Sequence, residues 1–561
     1  MNISKPERTI SNLFSLLTPG VALILVTGIV TDPVNYPKLL LLGGLGVSSL
    51  LLCVTYWRKE IWNESKLPLI LVLFFVISAF NALVNSEQPV SQNLYGVFGR
   101  ASGFLTYAFL SFSLIGATRI RHNQLRARIL YGFFIVGLLN IAYCLWVILI
   151  GDFVGWTNPY GAILGLLGNP DFISAFLGMY IVGISSYVLH RQSRRFFRLL
   201  ALTSIPIALF EILKSRAIQG LAVTVGGLGL LVFYRLYTSK FRKFSWGYLF
   251  VFSAGVFLAI LGTLQKGPLD FIYKRSVSLR GSYWQAGIEM GLQNPLSGVG
   301  MDSYGEWYRK SRPPQALLDL PGPETGSNAA HNVFIDLFAF GGFPLIISYV
   351  AIVLLAISFI VKRILGSTTY DPIFITISLI WICYLAQSII SINQIGLAIW
   401  GWVLPGLILS YKKISPEVDL STIQRGKQKS IKSPLILEPS TIAWIGLGIG
   451  VFLASPPFNA DMKWFSAYQA RDAAKLEEAI TPKFLNPVDG FRYTQTVQLF
   501  AQSELYDLAK KHAVRALDAN PNYFDLWRQF YFLPNISNEE KSLALENMKR
   551  LDPNNPNVTG E

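Results

Sequence analysis

Apolar residues run through this chain in long unbroken blocks, near 13–30, 38–56, 67–84, 103–118, 129–150, 170–189, 199–213, 217–234, 246–264, 332–361, 373–390, 396–411 and 440–455. Most approach the ~20 residues that a helix needs to cross ~30 Å of hydrocarbon. The blocks are continuous rather than alternating, so they predict helices and not the strands of a barrel. The expected fold is all-α: a polytopic helical membrane protein with about 12–13 transmembrane helices. The first block follows a polar start without a small-residue cleavage site, and is expected to be a retained span.

Two stretches break the pattern. Residues 265–331 form the longest polar segment between apolar blocks. It holds Arg280-Gly-Ser-Tyr-Trp284, a turn at Asn294-Pro-Leu-Ser-Gly-Val-Gly300, and a tract from Pro313-Pro314 to Pro321-Gly-Pro323 that excludes regular helix. Its aromatic residues, among them Tyr273, Tyr283, Trp284, Tyr304, Trp307 and Tyr308, argue for an ordered functional loop. Trp284, Ile288 and Leu292 predict an amphipathic helix opening at Arg280. The middle, from Arg309 to Gly326, is expected to be a flexible lid or acceptor-selecting segment. The second stretch is residues 457–561, where Tyr506–Leu517 has helical spacing, Asn520-Pro-Asn-Tyr523 breaks it and Leu526–Phe532 begins another helix. Leu517-Asp-Ala-Asn-Pro521 is echoed by Leu551-Asp-Pro-Asn-Asn-Pro556. These features resemble tetratricopeptide helix pairs, which implies a protein partner; the other reading is an ordinary helical cap without one.

A net charge of +15 raises the question of nucleic acid, and its distribution answers it. Residues 457–561 hold 12 Lys/Arg against 14 Asp/Glu, and residues 1–456 hold 36 against 19, so the membrane portion carries all the excess. Arg58/Lys59/Lys66, Arg119 to Arg128, Arg191 to Arg198, Arg235 to Lys243, Lys362/Arg363 and Lys412 to Lys432 occupy every second connection. That alternation marks cytoplasmic loops and no nucleic-acid surface. By parity, residues 31–37, 85–102, 151–169, 214–216, 265–331 and 391–395 face outward, and so does the tail if 440–455 crosses. Cys53, Cys144 and Cys383 lie in apolar blocks without CxxC spacing, which gives no metal or redox signal.

Candidate chemistry is sparse. His122 and His190 lie in basic connections and His512 in the tail, leaving His331 alone at an outward helix entrance. One imidazole makes no zinc site, and no outward DxD pair offers a cation clamp, so neither metal nor cofactor is expected. His331 reads either as an acid–base group, with an ordinary pKa of ~6.5, or as a helix cap. Arg100, Lys214, Arg216 and Arg280 are cations on the face where cations should be scarce. Guanidinium forks match phosphate oxygens, so the set suggests a phosphate or diphosphate headgroup; for each one alone, snorkelling to lipid phosphate is the plainer reading. Gly446-Leu-Gly-Ile-Gly450 and Gly226-Gly-Leu-Gly229 sit inside apolar blocks, where close helix packing is expected rather than nucleotide binding.

Several of these stretches occur together in one family. Asn294-Pro-Leu-Ser-Gly-Val-Gly300, Ala330-His-Asn-Val-Phe334 and Phe340-Gly-Gly-Phe-Pro344 resemble the core of the O-antigen ligase and polymerase superfamily. Ser215-Arg216, Gly168-Asn-Pro-Asp171 and Gly99-Arg100 with Gly103 are similar to its upstream motifs, and the likeness spans roughly residues 95–410. Ala217-Ile-Gln after Arg216 departs from the small residue and aromatic that members often carry.

The resemblance implies a GT-C-like, inverting, metal-independent glycosyltransferase of a bacterial inner membrane. It would act on the periplasmic face with an undecaprenyl-diphosphate-linked glycan as donor and a lipid, glycan or protein hydroxyl as acceptor. It further implies that Arg216 and Arg280 hold the diphosphate and His331 activates the acceptor. Lys214, Tyr283, Trp284 and Asn332, with Arg100, complete the expected substrate-binding set. A ligase, as in lipopolysaccharide assembly, is the leading expectation, and a polymerase using the same donor is the alternative. A transporter, for example of inorganic carbon, should show internal repeats and mid-membrane charge; the sequence shows no convincing repeat and few charged residues inside its apolar blocks.

Overall fold

The computed structural model describes residues 3–156, 158–190, 193–273, 275–318, 322–411, 437–483 and 485–560. The chain begins with α1 (Lys5–Leu23), α2 (Asn35–Tyr56), short α3 (Arg58–Glu64), α4 (Lys66–Val84), short α5 (Val90–Tyr95), α6 (Phe104–Ala117) and α7 (Asn123–Leu149). It continues with α8 (Pro170–Val188), α9 (Arg195–Lys214), α10 (Gln219–Tyr237) and α11 (Arg242–Thr263). Two helices, α12 (Arg275–Gln293) and α13 (Tyr304–Ser311), lie in the polar segment, followed by α14 (Val333–Leu365), α15 (Pro372–Ser388), α16 (Ile395–Leu409) and α17 (Pro439–Ala470). The tail adds α18 (Ala473–Ala479), α19 (Gly490–Gln502), α20 (Tyr506–Ala519), α21 (Phe524–Tyr531), α22 (Asn538–Leu551) and α23 (Pro556–Thr559). Among the described residues there is no strand, only an isolated bridge between Lys483 and Asn486.

Every one of the thirteen apolar blocks is a helix, and the protein is a polytopic helical membrane protein. Nine helices among the described residues are long and apolar enough to cross a membrane, and α6, α15 and α16 are shorter apolar helices. The remaining block is α1, interrupted by Pro19.

The connections segregate to two faces. On one, Glu7 meets His122 at 2.8 Å, Arg121 meets Glu60 and Glu64 at 3.1 and 2.7 Å, and Tyr237 donates to the Leu365 carbonyl at 3.1 Å. This face carries the described positive connections; Arg191 and the stretch Lys412 to Lys432 lie outside the described residues. On the other, Asn35 donates to the Gly99 carbonyl at 2.8 Å, Phe98 N–H donates to Asp489 at 3.0 Å, and the 265–331 segment meets the tail. The tail therefore lies on the same side as that segment. Helix α17 runs unbroken across the expected domain boundary at 456/457. In its second half, Asp461 accepts from the backbone of Thr31 and Asp32 at 2.8 and 2.9 Å and pairs with Arg492 of α19. The tail's own core, from Trp464 to Val558, gathers helices α17 to α23 around Val497, Ala509, Ala513 and Leu526.

Helix α17 packs along α2 because glycine lets the backbones approach: a Cβ on Gly450 would lie 2.0 Å from the Gly43 carbonyl oxygen. Gly448, between them in sequence, faces open space, so this glycine run is a packing seam on one side only.

Helix α14 is broken at Gly341-Gly342, where Gly342 has φ 63°. A break at membrane depth frees backbone groups that water cannot satisfy. Here the Asn294–Gly300 turn satisfies them. Val299 N–H donates to Ala339 O at 2.8 Å and Gly300 N–H to Phe340 O at 3.1 Å, while Phe343 N–H reaches back to Pro295 O at 2.8 Å. Gly342→Ala would place a Cβ 2.3 Å from Pro295 O in a left-handed conformation. It should lower stability by at least about 1–3 kcal/mol, read as a lower unfolding temperature in detergent, whereas Gly448→Ala should be neutral.

Candidate active site

The broken helix presents its first half, Val333–Phe340, as a short rod whose N-terminus enters the polar segment. Asn332 caps it, its side-chain oxygen accepting from Phe334 and Ile335 N–H at 3.0 and 3.3 Å. The residue before the cap is His331, which adopts left-handed backbone at φ 54°. The Asn332 side-chain oxygen thus serves as the helix cap, in addition to the residue's expected part in substrate binding, and His331 is not the cap.

His331 stacks on Tyr283 of α12, ring centroids 5.7 Å apart, and Tyr283 in turn meets Tyr308 edge-on at 5.6 Å. Helix α12 can bring Tyr283 there because Gly287 and Gly291 leave room for Ile335 and Phe338 of α14. The predicted stripe is therefore rotated: Ala286 and Met290 are buried, while Ile288 and Leu292 are exposed. The helix also starts earlier than expected, at Arg275. Trp284 is half-buried against the membrane core.

Two cations act on the imidazole. Burial first, and then Arg280 and Arg100, hold His331 down to about 4, so it is neutral at physiological pH. Arg280 is itself half-buried; burial lowers its pKa, with Asp171 at the start of α8 and Tyr283 acting the other way. Arg100 is buried and committed: its Nε lies 3.3 Å from Asp302, and its guanidinium donates to the Asn328 carbonyl. Burial acts to lower the Arg100 pKa, but Asp302 and Asp336 outweigh it and the value is raised. The structure therefore gives Arg100 a supporting role through Asp302 and the Asn328 carbonyl, beside its expected role as a substrate ligand. Asp302 also accepts from Val97 and Ser102 N–H at 2.9 and 3.3 Å, which wraps the Gly96–Gly103 loop around it. Asp336, in the first turn of α14, accepts from Ala330 N–H at 2.7 Å and so fixes the backbone that carries His331.

Arg216 and Lys214 lie on the α9–α10 turn. Both are exposed; Arg216 sits at φ 60°, and the Lys214 ammonium lies 5.4 Å from the Phe210 ring centroid. The turn is pinned to the start of α8: Ser174 donates to Ala217 O at 3.0 Å and accepts from Gly220 N–H at 3.1 Å, and Gln219 donates to Asp171 O. Asp171 is thus shared between this turn and the field at Arg280. His331, Tyr283 and Arg280 come together directly, with Arg100 behind them; Arg216 and Lys214 stand on the neighbouring turn. Left-handed backbone at Ala101, Arg216, Asp302 and His331 concentrates conformational strain around this one region.

Asp171, Asp302 and Asp336 were missed as participants. A carboxylate such as Asp336 at the mouth of an otherwise apolar helix is a signal that sequence carries. Asp302 has none, because its partners are about 200 residues away. Among the described residues no three His, Cys, Asp or Glu side chains cluster as metal ligands would.

The middle of the polar segment departs most from expectation. Arg309 and Arg312 are buried and converge on Asp552 of the tail, at 3.2 and 2.7 Å. They also donate to the Glu324 and Thr325 carbonyls, both at 3.1 Å, and Glu324 pairs with Arg528 at 3.0 Å. The expected flexible lid is a clamped segment, with residues 319–321 outside the description.

Residues 212–350, which contain Arg216, Arg280, His331 and the break in α14, match the family model described as O-antigen ligase. No curated protein and no solved structure matches the chain.

Removing Asp552 would strand two buried guanidinium groups. Asp552→Ala should weaken docking of the tail on the segment by about 3–5 kcal/mol. Amide exchange should accelerate together in residues 304–318 and in α22, and Asp552→Asn should show a smaller effect.

Proposed function

We propose that this chain is an O-antigen ligase-like membrane glycosyltransferase that transfers a glycan from an undecaprenyl-diphosphate carrier to an acceptor hydroxyl, a reading supported by the match of residues 212–350 to the family model described as O-antigen ligase. The reaction takes place on the face that bears the 265–331 segment, which is the periplasmic side of a bacterial inner membrane, with the positive connections in the cytoplasm. The observation that carries this reading is a neutral, half-buried His331 stacked on Tyr283 beside the Arg280 guanidinium. An unprotonated base and a fixed cation in a water-poor site are the two parts this transfer needs.

In the proposed step, Arg280 and Arg216 hold the diphosphate. The acceptor oxygen attacks the anomeric carbon from the face opposite the leaving group, and the new C–O bond forms as the bond to phosphate breaks. The electron pair leaves on the diphosphate oxygen, where the arginines stabilise it. The hydroxyl proton passes to His331, and one inversion results. Asp336 and Asn332 hold the His331 backbone, while Asp302 and Arg100 position the loop behind it. The step is metal-independent and calls on no cofactor.

His331→Ala should lower kcat by ~10²–10⁴-fold with donor binding retained, while Arg280→Ala should weaken donor binding as well. Equal transfer rates in the variants and the wild type would exclude this mechanism. The pH dependence has a defined sign. A base with a lowered pKa is lost only as pH falls through that value, so the acid limb of kcat/KM should lie at about 4. A bound diphosphate offsets the cations that hold the value down, so the acid limb of kcat should lie at higher pH.

A polymerase would use the same groups and differ in acceptor. Deletion of the gene separates the readings. Loss of a ligase leaves long chains unattached, loss of a polymerase leaves single repeat units, and loss of a transporter leaves both unchanged. We expect unattached long chains.

A further inference from the structure

A large concave feature away from the proposed active site lies at the opposite end of the bundle. It is a cavity of about 720 Å³ on the positive face, where the end of α8, the α10–α11 connection and the α14–α15 connection meet. Arg235 and Lys240 line it, and His190 stacks on Tyr370 across it with ring centroids 6.3 Å apart. Among the described residues no carboxylate lines the cavity, and neither Arg235 nor Lys240 forms an ion pair. The nearby Asp371 is occupied by Arg363 at 3.1 Å and by the N-terminus of α15. The Arg235 guanidinium instead lies 5.8 Å from the Tyr370 ring centroid. Leu236 and the half-exposed Phe241 supply an apolar wall.

Two cations without an ion pair among the described residues, in a concave site bordered by apolar side chains at a membrane surface, call for an anion that carries its own apolar portion. We propose that this cavity binds the phosphate headgroup of an anionic phospholipid, with Arg235 and Lys240 on the phosphate and Phe241 and Leu236 along the start of an acyl chain. The volume suits a headgroup, falling within the roughly 300–1,000 Å³ of small-molecule sites. The site also has a structural consequence. Helix α11 is the least buried of the long apolar helices and packs chiefly on α10, which is itself held to the bundle by α8, α15 and the Tyr237 bond to the Leu365 carbonyl. A headgroup bridging Arg235 of α10 and Lys240 of the connection to the Tyr370 side would add a further tie at this end. The opposite end of α10 begins beside Arg216, but the inference does not rest on the catalytic reading.

The test is native mass spectrometry of the full-length protein in detergent with equal amounts of phosphatidylglycerol and phosphatidylcholine. The wild type should retain phosphatidylglycerol preferentially, and Arg235→Ala/Lys240→Ala should reduce that preference on the order of ten-fold. The control Lys243→Ala removes an exposed charge outside the cavity and should leave the preference intact. Arg235→Lys/Lys240→Arg should restore binding, which separates lost charge from misfolding. Equal loss in Lys243→Ala would reduce the effect to general surface charge and overturn the site. Unchanged retention in the double alanine variant would overturn it as well. Complete displacement of the lipid by millimolar glycerol 3-phosphate would assign the cavity to a soluble phosphate and overturn the lipid proposal.

Discussion

The pairing between the Asn294–Gly300 turn and the break in α14 is the constraint on which the loop face of this protein depends. A helix interrupted within the membrane exposes carbonyls and amides that hydrocarbon cannot satisfy, and each would carry a penalty of several kcal/mol. Val299 and Gly300 donate to Ala339 and Phe340, and Phe343 donates back to Pro295. The break is thereby closed, and α12, the turn and the first half of α14 become one unit. That unit sets the direction of Val333–Phe340 and, through the Asn332 cap, the place where His331 enters.

Electrostatics around His331 follow from the same assembly. Arg100 lies among Asp302, Asp336 and the Asn328 carbonyl, so a buried cation is surrounded by acceptors and held away from the open side. For the half-buried Arg280, Asp171 and Tyr283 oppose its burial without outweighing it. The division explains how two arginines can both lower the imidazole pKa and yet take different parts in the proposed reaction. One is committed to the fold; the other keeps hydrogen-bonding capacity on the side where α8 and the α9–α10 turn converge.

The tail acts on the site from behind. Asp552 draws Arg309 and Arg312 together, Asp489 accepts from the loop that carries Arg100, and Asp461 joins Arg492 to the α1–α2 connection. Three carboxylates of a helical appendage thus tie down three separate connections of the loop face. A chain with a polar segment of this length gains order there from outside the segment, which makes the tail part of the site's scaffold.

The sequence by itself determined what depends on local pattern. Thirteen apolar blocks became thirteen helices, the alternation of Lys and Arg matched the two faces, and the motifs at 294–300, 330–334 and 340–344 marked the family segment, because hydrophobic length, charge and turn residues are written within a few positions of one another. What only the tertiary structure decided involves partners far apart in the chain. Arg100 pairs with Asp302, the Asn332 side chain caps α14, and the stretch from Arg309 is clamped through Asp552, some 240 residues distant. The rotation of α12 was hidden for the same reason: Gly287 and Gly291 read as weak points of a helix until Ile335 and Phe338 fill the space they leave. Residue type announces that a guanidinium or a carboxylate must be paired, but packing across the bundle selects the partner.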